Sequence, residues 1–437
     1  MEDRKNKTGL KALLIGGLIF VLLLPTFMID NLVFERKQRQ DEALHEVSSK
    51  WAEKQTITGP IVTIPYLEYF KDKDGIVGQS RKFIHILPDQ LKINGEIIPE
   101  KRYRGIYEIV VYSSKIAIEG NFKDILNQIN NIDKANILFS QATISIGISD
   151  LRGLKEQVNL NWNKQMLSFN PGVESNDVMD SGISATLNLN SSDTSISTFE
   201  FSFTLNLKGS QSLYFTPVGK ESYVKLASNW KTPSFDGAFL PDFRSISDSG
   251  FNATWKVLNL NRNYPQSWLN QSYQVANSTF GINLYLPIDG YTKTDRSIKY
   301  AILFIGLTFL IFFFLETLSS KPIHPLQYIL IGFALCLFYV LLLSISEHIS
   351  YNWAYLIASF MTIGLITWYS RSILKESKLS LLVAGNLVIL YGFIFVIIQL
   401  EDLSLLIGSL GLFLILVLVM YFSKKIDWTG LSKNLKD

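Results

Sequence analysis

Cysteine is nearly absent from this sequence, since Cys336 is the only one among 437 residues. An intrachain disulfide is therefore excluded, and any large domain must be stabilised by its core. Histidine is also scarce, with four residues. The sequence contains no Walker loop, GxSxG, HExxH, paired cysteines or dinucleotide fingerprint. We therefore expect no enzymatic activity, no metal site and no cofactor.

Charged residues are also few, at 18% of the chain against about 25% in an ordinary soluble domain. They are distributed unevenly. Residues 30–296 are polar and rich in Asn, Ser and Thr, whereas residues 297–422 are almost continuously Leu, Ile, Val and Phe. This division excludes a single soluble globule, and it equally excludes a chain that is embedded in a membrane throughout.

The apolar runs predict six transmembrane helices, because each is long enough to cross a hydrocarbon core of about 30 Å. The first covers residues 10–29 and is read as an uncleaved anchor, since the run exceeds the core of a signal peptide and no cleavage site follows it. The other five form a C-terminal bundle over residues 297–318, 326–346, 352–370, 379–400 and 403–422.

Basic residues indicate the orientation of these spans. Twelve of them fall on the side that holds the N-terminal segment 1–9 and the C-terminal tail 423–437. They are Arg4, Lys5, Lys7, Lys11, Lys321, Arg371, Lys375, Lys378, Lys424, Lys425, Lys433 and Lys436. The short opposite loops have none and carry Glu347, Glu401 and Asp402 instead. The positive-inside rule therefore predicts cytoplasmic termini and a periplasmic domain over residues 30–296 of a bacterial inner-membrane protein.

The periplasmic domain is predicted to be mainly β and sandwich-like, as one sandwich or two lobes. In residues 198–207 every second residue is Phe or Leu, which is typical of a half-buried strand. Before the strands, residues 34–54 carry a helical apolar stripe of Ala43, Leu44, Val47 and Trp51. A further short helix is predicted at about residues 122–132. The domain and its flanks carry 29 basic and 29 acidic residues, which argues against nucleic acid as a partner.

Polar residues of the membrane half are the candidate functional residues. They are Glu316, His324, Ser344, Glu347 and His348. Charges at membrane depth are costly and suggest function, but interfacial charges that pair with each other explain them as well. On that second interpretation, Glu316 pairs with Lys321 or His324 across the short loop.

Two active roles for these residues stay open as alternatives. A transporter or lipid-handling protein would use Glu316, His324, Glu347 and His348, although Asn386 is the main polar residue near the midplane of the spans. A hydrolase would use Ser344 and His348, which share a helix face at a spacing of four residues. The sequence shows no residues that would supply the oxyanion donors such a hydrolase needs.

Several long strings resemble the CreD family of bacterial inner-membrane proteins. They are TGPIVTIPY (58–66), RKFIHILPD (81–89), SNWKTPSFDGAFLPD (228–242), SGFNATW (249–255), TDRSIKYAILFIGLTFLIFFFLETL (294–318) and HPLQYILIGFALCLFYVLLLSISEH (324–348). The resemblance implies the same layout of one span, a periplasmic domain and a C-terminal bundle. It also implies a role in envelope integrity, colicin tolerance and the β-lactam response, with no catalytic residue to carry over.

The expected function is therefore support of the cell envelope through binding or scaffolding by the periplasmic domain. The expected partners are the lipid bilayer and envelope proteins, peptidoglycan or lipid.

Overall fold

The computed structural model describes residues 2–71, 77–125, 128–129, 132–189, 198–269, 273–284, 290–319, 321–400 and 403–424. The chain divides into two compact units. A helical unit comprises Met1–Asp41 and Ile288–Asp437, and a β unit comprises Glu42–Pro287. The predicted fold class, membrane helices with a large and mainly β domain, is confirmed.

Seven long helices occur in the described residues. They are α1 (Glu2–Trp51), α2 (Gly290–Lys299), α3 (Ala301–Ser319), α4 (Pro325–Ser346), α5 (Tyr351–Leu374), α6 (Ser377–Gln399) and α7 (Ser404–Ser423). Among the described residues, five helices are long and apolar enough to cross a bilayer, and the bent pair α2–α3 is a sixth candidate if it counts as one span.

The first span of the C-terminal bundle differs from the uniform helix expected over residues 297–318. Helix α2 begins earlier, at Gly290, and meets α3 at an angle of 45°. The hydropathy pattern does not predict α2, because this helix buries polar side chains, among them Lys293, Thr294 and Ser297. Its polar partners are described below.

Helix α1 joins two elements that the sequence separates, the span 10–29 and the helix 34–54. It continues without a break to Trp51 although Pro25 lies inside it. No helix-breaking residue occurs between them in Asp30–Phe34, so nothing interrupts the hydrogen-bond ladder there. The β unit begins at Glu42, within α1.

The β unit contains two sheets. Its strands are β1 (Gln55–Lys71), β2 (Val77–Ile86), β3 (Gln90–Arg104), β4 (Tyr107–Lys123), β5 (Ala142–Ile148), β6 (Asn159–Trp162), β7 (Gln165–Ser168), β8 (Asn170–Pro171), β9 (Gly182–Leu187), β10 (Thr198–Ser210), β11 (Ser212–Thr216), β12 (Glu221–Ser228), β13 (Pro233–Gly237), β14 (Phe243–Ser247), β15 (Gly250–Leu258), β16 (Ser267–Leu269) and β17 (Phe280–Leu284). In the described residues one sheet has the order β13-β17-β11-β1-β5-β9-β8, with β2 beside β1 and β16 beside β2. The other has the order β14-β15-β12-β3-β4-β10-β6-β7.

One continuous apolar core joins the two sheets, so the unit is a single sandwich rather than two lobes. The alternation predicted for residues 198–207 is confirmed, because the Phe and Leu positions of β10 are buried. Aromatic rings connect the sheets: Trp255 of β15 lies 5.6 Å from Phe280 of β17 and 5.8 Å from Phe235 of β13, between ring centroids.

The apolar stripe at the end of α1 packs on the outer face of β4, as expected for an amphipathic helix. Ala43 forms a small core with Ile109 and Val111, and Val47 and Trp51 pack against it. The helix predicted at residues 122–132 is wrong at its start, because Phe122 and Lys123 belong to β4. Residues 126–127 and 130–131 of that prediction lie outside the described residues.

Candidate functional site

The five membrane candidates lie at opposite ends of α4 and form no common site. The 22 residues of α4 span about 33 Å at 1.5 Å per residue. Glu316 and His324 lie where α3 ends and α4 begins, and we call this the basic end because Lys378 and Lys424 also lie there. Ser344, Glu347 and His348 lie at the opposite end, beside α2, which we call the α2 end.

At the basic end, Glu316 is 9% exposed and is surrounded by donors. Lys11 of α1 makes an ion pair with its Oε1 atom. The backbone N–H of Ile323 donates to Oε1 at 2.9 Å, and the Tyr328 hydroxyl donates to Oε2 at 3.0 Å. The carboxylate therefore connects α1, α3, α4 and the loop before α4.

The partners predicted for Glu316 are wrong. Lys321 donates instead to the Leu374 carbonyl at 2.7 Å and pairs with Glu376. His324 caps α4, since its Nδ1 atom accepts from the backbone N–H of Leu326 at 3.3 Å. Sequence separation explains the error, because Lys11 lies 305 residues from Glu316 and no local pattern links them.

At the α2 end, Glu347 accepts from the Tyr291 hydroxyl of α2 at 3.1 Å. Arg36 of α1 lies beside the same carboxylate, with its Nε atom 3.7 Å away. Ser344 and His348 are both exposed, and the structure contains no hydrogen bond between these two described residues. This arrangement does not orient a serine nucleophile as hydrolysis requires.

Helix α2 fixes the same end of the bundle through polar contacts that the sequence reading missed. Lys293 Nζ donates to Gln399 Oε1 of α6 at 2.7 Å. Arg296 donates to the Leu400 carbonyl at 2.9 Å, and the hydroxyls of Ser297 and Tyr351 lie 2.7 Å apart. The residues that α2 buries recur at a helical spacing, which could have predicted this helix. They lie just before the apolar run, however, and are partly polar.

The β unit contains a buried histidine. His85 of β2 is 1% exposed. Its Nδ1 lies 3.1 Å from the Thr63 hydroxyl and its Nε2 lies 3.2 Å from Asp177 Oδ2. Burial lowers the pKa of His85, and Asp177 opposes that shift in part. Because Thr63 is itself buried, the trio presents no accessible nucleophile.

The buried His85 predicts that stability depends on pH. The unfolded imidazole has a pKa of about 6.5 and the folded one is lower, so the unfolded state binds more protons as the pH falls through this window. We therefore expect the free energy of unfolding to decrease below about pH 6.5. Denaturant unfolding of the full chain in detergent at pH 7.5 and pH 5.5 measures this difference. His85→Gln should reduce it and the exposed His45→Gln should not; an equal pH dependence in all three proteins would contradict the assignment.

Metal binding finds no support in the described part of the chain, where no group of three or more His, Cys, Asp or Glu side chains is placed to hold an ion. The cation–carboxylate contacts described above are pairs between helices. Glu316 and Glu347 thus contact residues of other helices, whereas Ser344 and His348 are exposed.

The β unit does present an exposed apolar surface at the edge of the sandwich. We call it the β13–β14 surface, and it consists of Leu240, Phe243 and Ile246, which are 66%, 61% and 50% exposed. In the described residues β14 ends its sheet, so one side of it offers unpaired backbone N–H and C=O groups. Exposed edges often carry a charge or a proline, and here Arg244 lies in β14 and Pro241 shortly before it, beside the exposed apolar side chains.

Strand β15 holds the segment that carries this surface in place. The Trp255 indole donates to the Phe239 carbonyl at 3.3 Å, and the backbone N–H of Lys256 donates to Asp242 Oδ2 at 2.6 Å. The exposed side chains are therefore presented by an ordered backbone. Residues 228–242 form one of the strings that support the family resemblance. That Leu240 in this string is exposed, however, follows from the fold and not from the sequence.

Comparison with known proteins agrees with this architecture. The family model described as "Inner membrane protein CreD" matches residues 7–429. The chain is 32% identical over 430 residues to the Inner membrane protein CreD of Escherichia coli strain K12, covering 95% of this chain and 92% of that protein. Both comparisons support a protein embedded in the lipid bilayer of the inner membrane. A helical unit with bilayer-length spans, a large β sandwich and matches over nearly the whole length show that this chain belongs to the CreD family of inner membrane proteins.

Proposed function

We propose that this protein supports cell-envelope integrity and stress tolerance by using its β unit as a periplasmic binding or scaffolding surface. In this proposal both termini are cytoplasmic, the helical unit is the anchor, and the protein is not an enzyme. The tolerance concerned is that to colicins, detergents and β-lactams.

The β13–β14 surface is the observation that carries the proposal. Three large apolar side chains lie exposed beside the free side of β14, and contacts to β15 fix the backbone that presents them. Phe243 and Ile246 lie three residues apart in β14 and project to opposite faces of the sheet. A partner that adds an extended strand to this edge would pair its backbone with β14 and contact Phe243 on one face and Ile246 on the other. We therefore favour an envelope protein as the partner over peptidoglycan or lipid.

The distribution of the membrane candidates supports an anchoring role for the helical unit. Glu316 and Glu347 each contact residues of other helices, and about 33 Å of α4 separates the two ends. A transporter that used Glu316, His324, Glu347 and His348 would need these groups near one pathway. Nothing in their geometry favours that alternative or a hydrolase.

Complementation of a deletion strain tests the proposal. We expect Phe243→Ser and Ile246→Ser, alone or together, to increase sensitivity to detergent, colicin and β-lactam, because they remove the apolar contacts without touching the core. Met166→Ser on β7 is the matched control, since Met166 is more exposed than Phe243 and Ile246 but lies at the far edge of the same sheet. Full complementation by the double variant, or a deletion strain with unchanged sensitivity, would contradict the proposal.

Photocrosslinking in intact cells identifies the chemistry of the partner. A photoreactive residue at position 243 should capture one defined envelope protein, and the same residue at position 166 should not. Capture must be lost when Ile246→Ser is added, in parallel with the loss of complementation. Capture of glycan or lipid instead would replace the proposed protein partner.

A further inference from the structure

A groove of about 480 Å³ lies between α3, α6 and α7. Its walls extend from Leu307 to Leu315 on α3, from Leu382 to Phe393 on α6 and from Gly411 to Val419 on α7. Apart from Asn386, the side chains that line it are hydrocarbon. The amide of Asn386 donates to the Leu382 carbonyl of its own helix at 2.8 Å, so it adds little polarity to the groove. The chemistry of the groove thus suits a hydrocarbon chain.

The groove runs along the middle of the three helices. On α6 its wall begins at Leu382, five residues after the first residue of the helix, and ends at Phe393, six residues before the last. This wall covers about 16 Å of a hydrocarbon core of about 30 Å, so it extends from near the basic end past the midplane. Its inner limit lies where Phe393 packs over Gly411. A Cβ atom at position 411 would come within 2.0 Å of the Phe393 ring, so glycine permits this close packing.

Positive charge lies at the outer opening of the groove. Lys378 is exposed in the first turn of α6, one helical turn before Leu382 at the start of the groove wall. Among the described residues it makes no ion pair, because Glu376 pairs with Lys321. A Lys side chain near the end of a span extends toward the headgroups, where it attracts anionic lipid. The opening is therefore complementary to a phosphate group.

We propose that this groove binds one acyl chain of an anionic phospholipid from the adjacent leaflet, with the lipid phosphate at Lys378. The charge at the opening favours a lipid over a protein helix, which is about 10 Å wide and needs a longer face than this groove offers. The bound chain would also fill the space between α7 and the bundle, because most side chains of α7 are exposed. This inference concerns the helical unit and does not depend on the function proposed for the β unit.

Lipid retention by the purified full-length protein tests the proposal. The protein is reconstituted in nanodiscs of phosphatidylglycerol and phosphatidylethanolamine, extracted in mild detergent and examined by native mass spectrometry. We expect one retained phosphatidylglycerol per chain. Ile389→Trp and Leu414→Trp fill the groove from two different helices and should each abolish retention. Leu356→Trp, on the exposed face of α5 away from the groove, should retain the lipid.

The charge at the opening is tested separately. Lys378→Gln should weaken the preference for phosphatidylglycerol over phosphatidylethanolamine by about fivefold, the effect of one lysine near an anionic surface. Lys375→Gln removes an exposed charge at the same end of the bundle but outside the groove, and should leave the preference unchanged. Circular dichroism and size-exclusion profiles identify any variant that has not folded. Retention by both folded tryptophan variants, or equal effects of the two lysine variants, would overturn the proposal.

Discussion

Glu316→Ala is expected to destabilise the helical unit by about 3 kcal/mol, the lower limit for breaking a buried ion pair because Lys11 keeps some contact with solvent. The substitution leaves the Lys11 ammonium, the Tyr328 hydroxyl and the Ile323 N–H without their acceptor. Chemical denaturation in detergent micelles, followed by tryptophan fluorescence or helical circular dichroism, measures the change.

Two further variants separate charge from hydrogen bonding at this position. Glu316→Gln keeps an acceptor oxygen and should lose less stability than Glu316→Ala. Glu376→Gln is the control, because the side chains of the Glu376–Lys321 pair are 54% and 30% exposed and solvent-accessible pairs contribute at most about 1 kcal/mol. If Glu316→Ala and Glu376→Gln had equally small effects, the buried contacts of Glu316 with α1 and α4 would contribute nothing measurable to the free energy of unfolding.

Arg262→Ala is expected to be comparably severe in the β unit, at about 3 to 5 kcal/mol. The Arg262 guanidinium is 8% exposed and stacks on the Tyr264 ring at 4.3 Å. It donates to the Tyr264 carbonyl at 3.0 Å, the Val218 carbonyl at 3.1 Å and Gln266 Oε1 at 2.7 Å. No carboxylate pairs with it among the described residues, so carbonyl oxygens alone solvate the charge. Alanine would leave these oxygens buried without donors and would open a cavity.

Denaturant unfolding of the full chain measures this effect through the β-sheet circular dichroism signal. Arg244→Ala is the matched control: Arg244 also lies over an aromatic ring, that of Phe235 at 6.0 Å, but its strand is exposed. We expect that control to change stability by less than 1 kcal/mol. A similar small effect of Arg262→Ala would mean that the loops around residues 217–219 and 262–266 hold together without the buried charge.

These contacts suggest how the polar residues of the chain divide their roles. In the helical unit, Glu316 and Glu347 each connect helices that are distant in sequence, as hydrogen-bonded polar groups do within membrane bundles. In the β unit, Arg262 and His85 stabilise loops and strands from inside. The exposed side chains at the β13–β14 surface, and those that line the groove between α3, α6 and α7, are instead mainly apolar.

Much of the architecture follows from local patterns in the sequence. Apolar runs of bilayer length predict the spans, and the alternation in residues 198–207 predicts β10, because both patterns repeat with the period of a single element. The stripe from Ala43 to Trp51 likewise predicts a helix that packs on another surface. Helix α2 could not be predicted in this way, because its buried face includes polar residues and a hydropathy pattern identifies only apolar residues that are buried.

The sites were decided by the tertiary structure. Glu316 can be singled out from sequence as a costly charge, but its partner Lys11 is 305 residues away. The two meet because α1 lies beside α4, where the Cys336 thiol is 3.8 Å from the Leu22 carbonyl. Leu240, Phe243 and Ile246 look like ordinary core residues in the sequence, and their exposure follows from the position of β14 at the edge of its sheet. By itself the sequence determined the apolar spans, the buried face of β10, the apolar stripe of α1 and the family to which the chain belongs. Which side chains meet, and which apolar groups stay uncovered, depends on contacts between distant segments that no local period encodes.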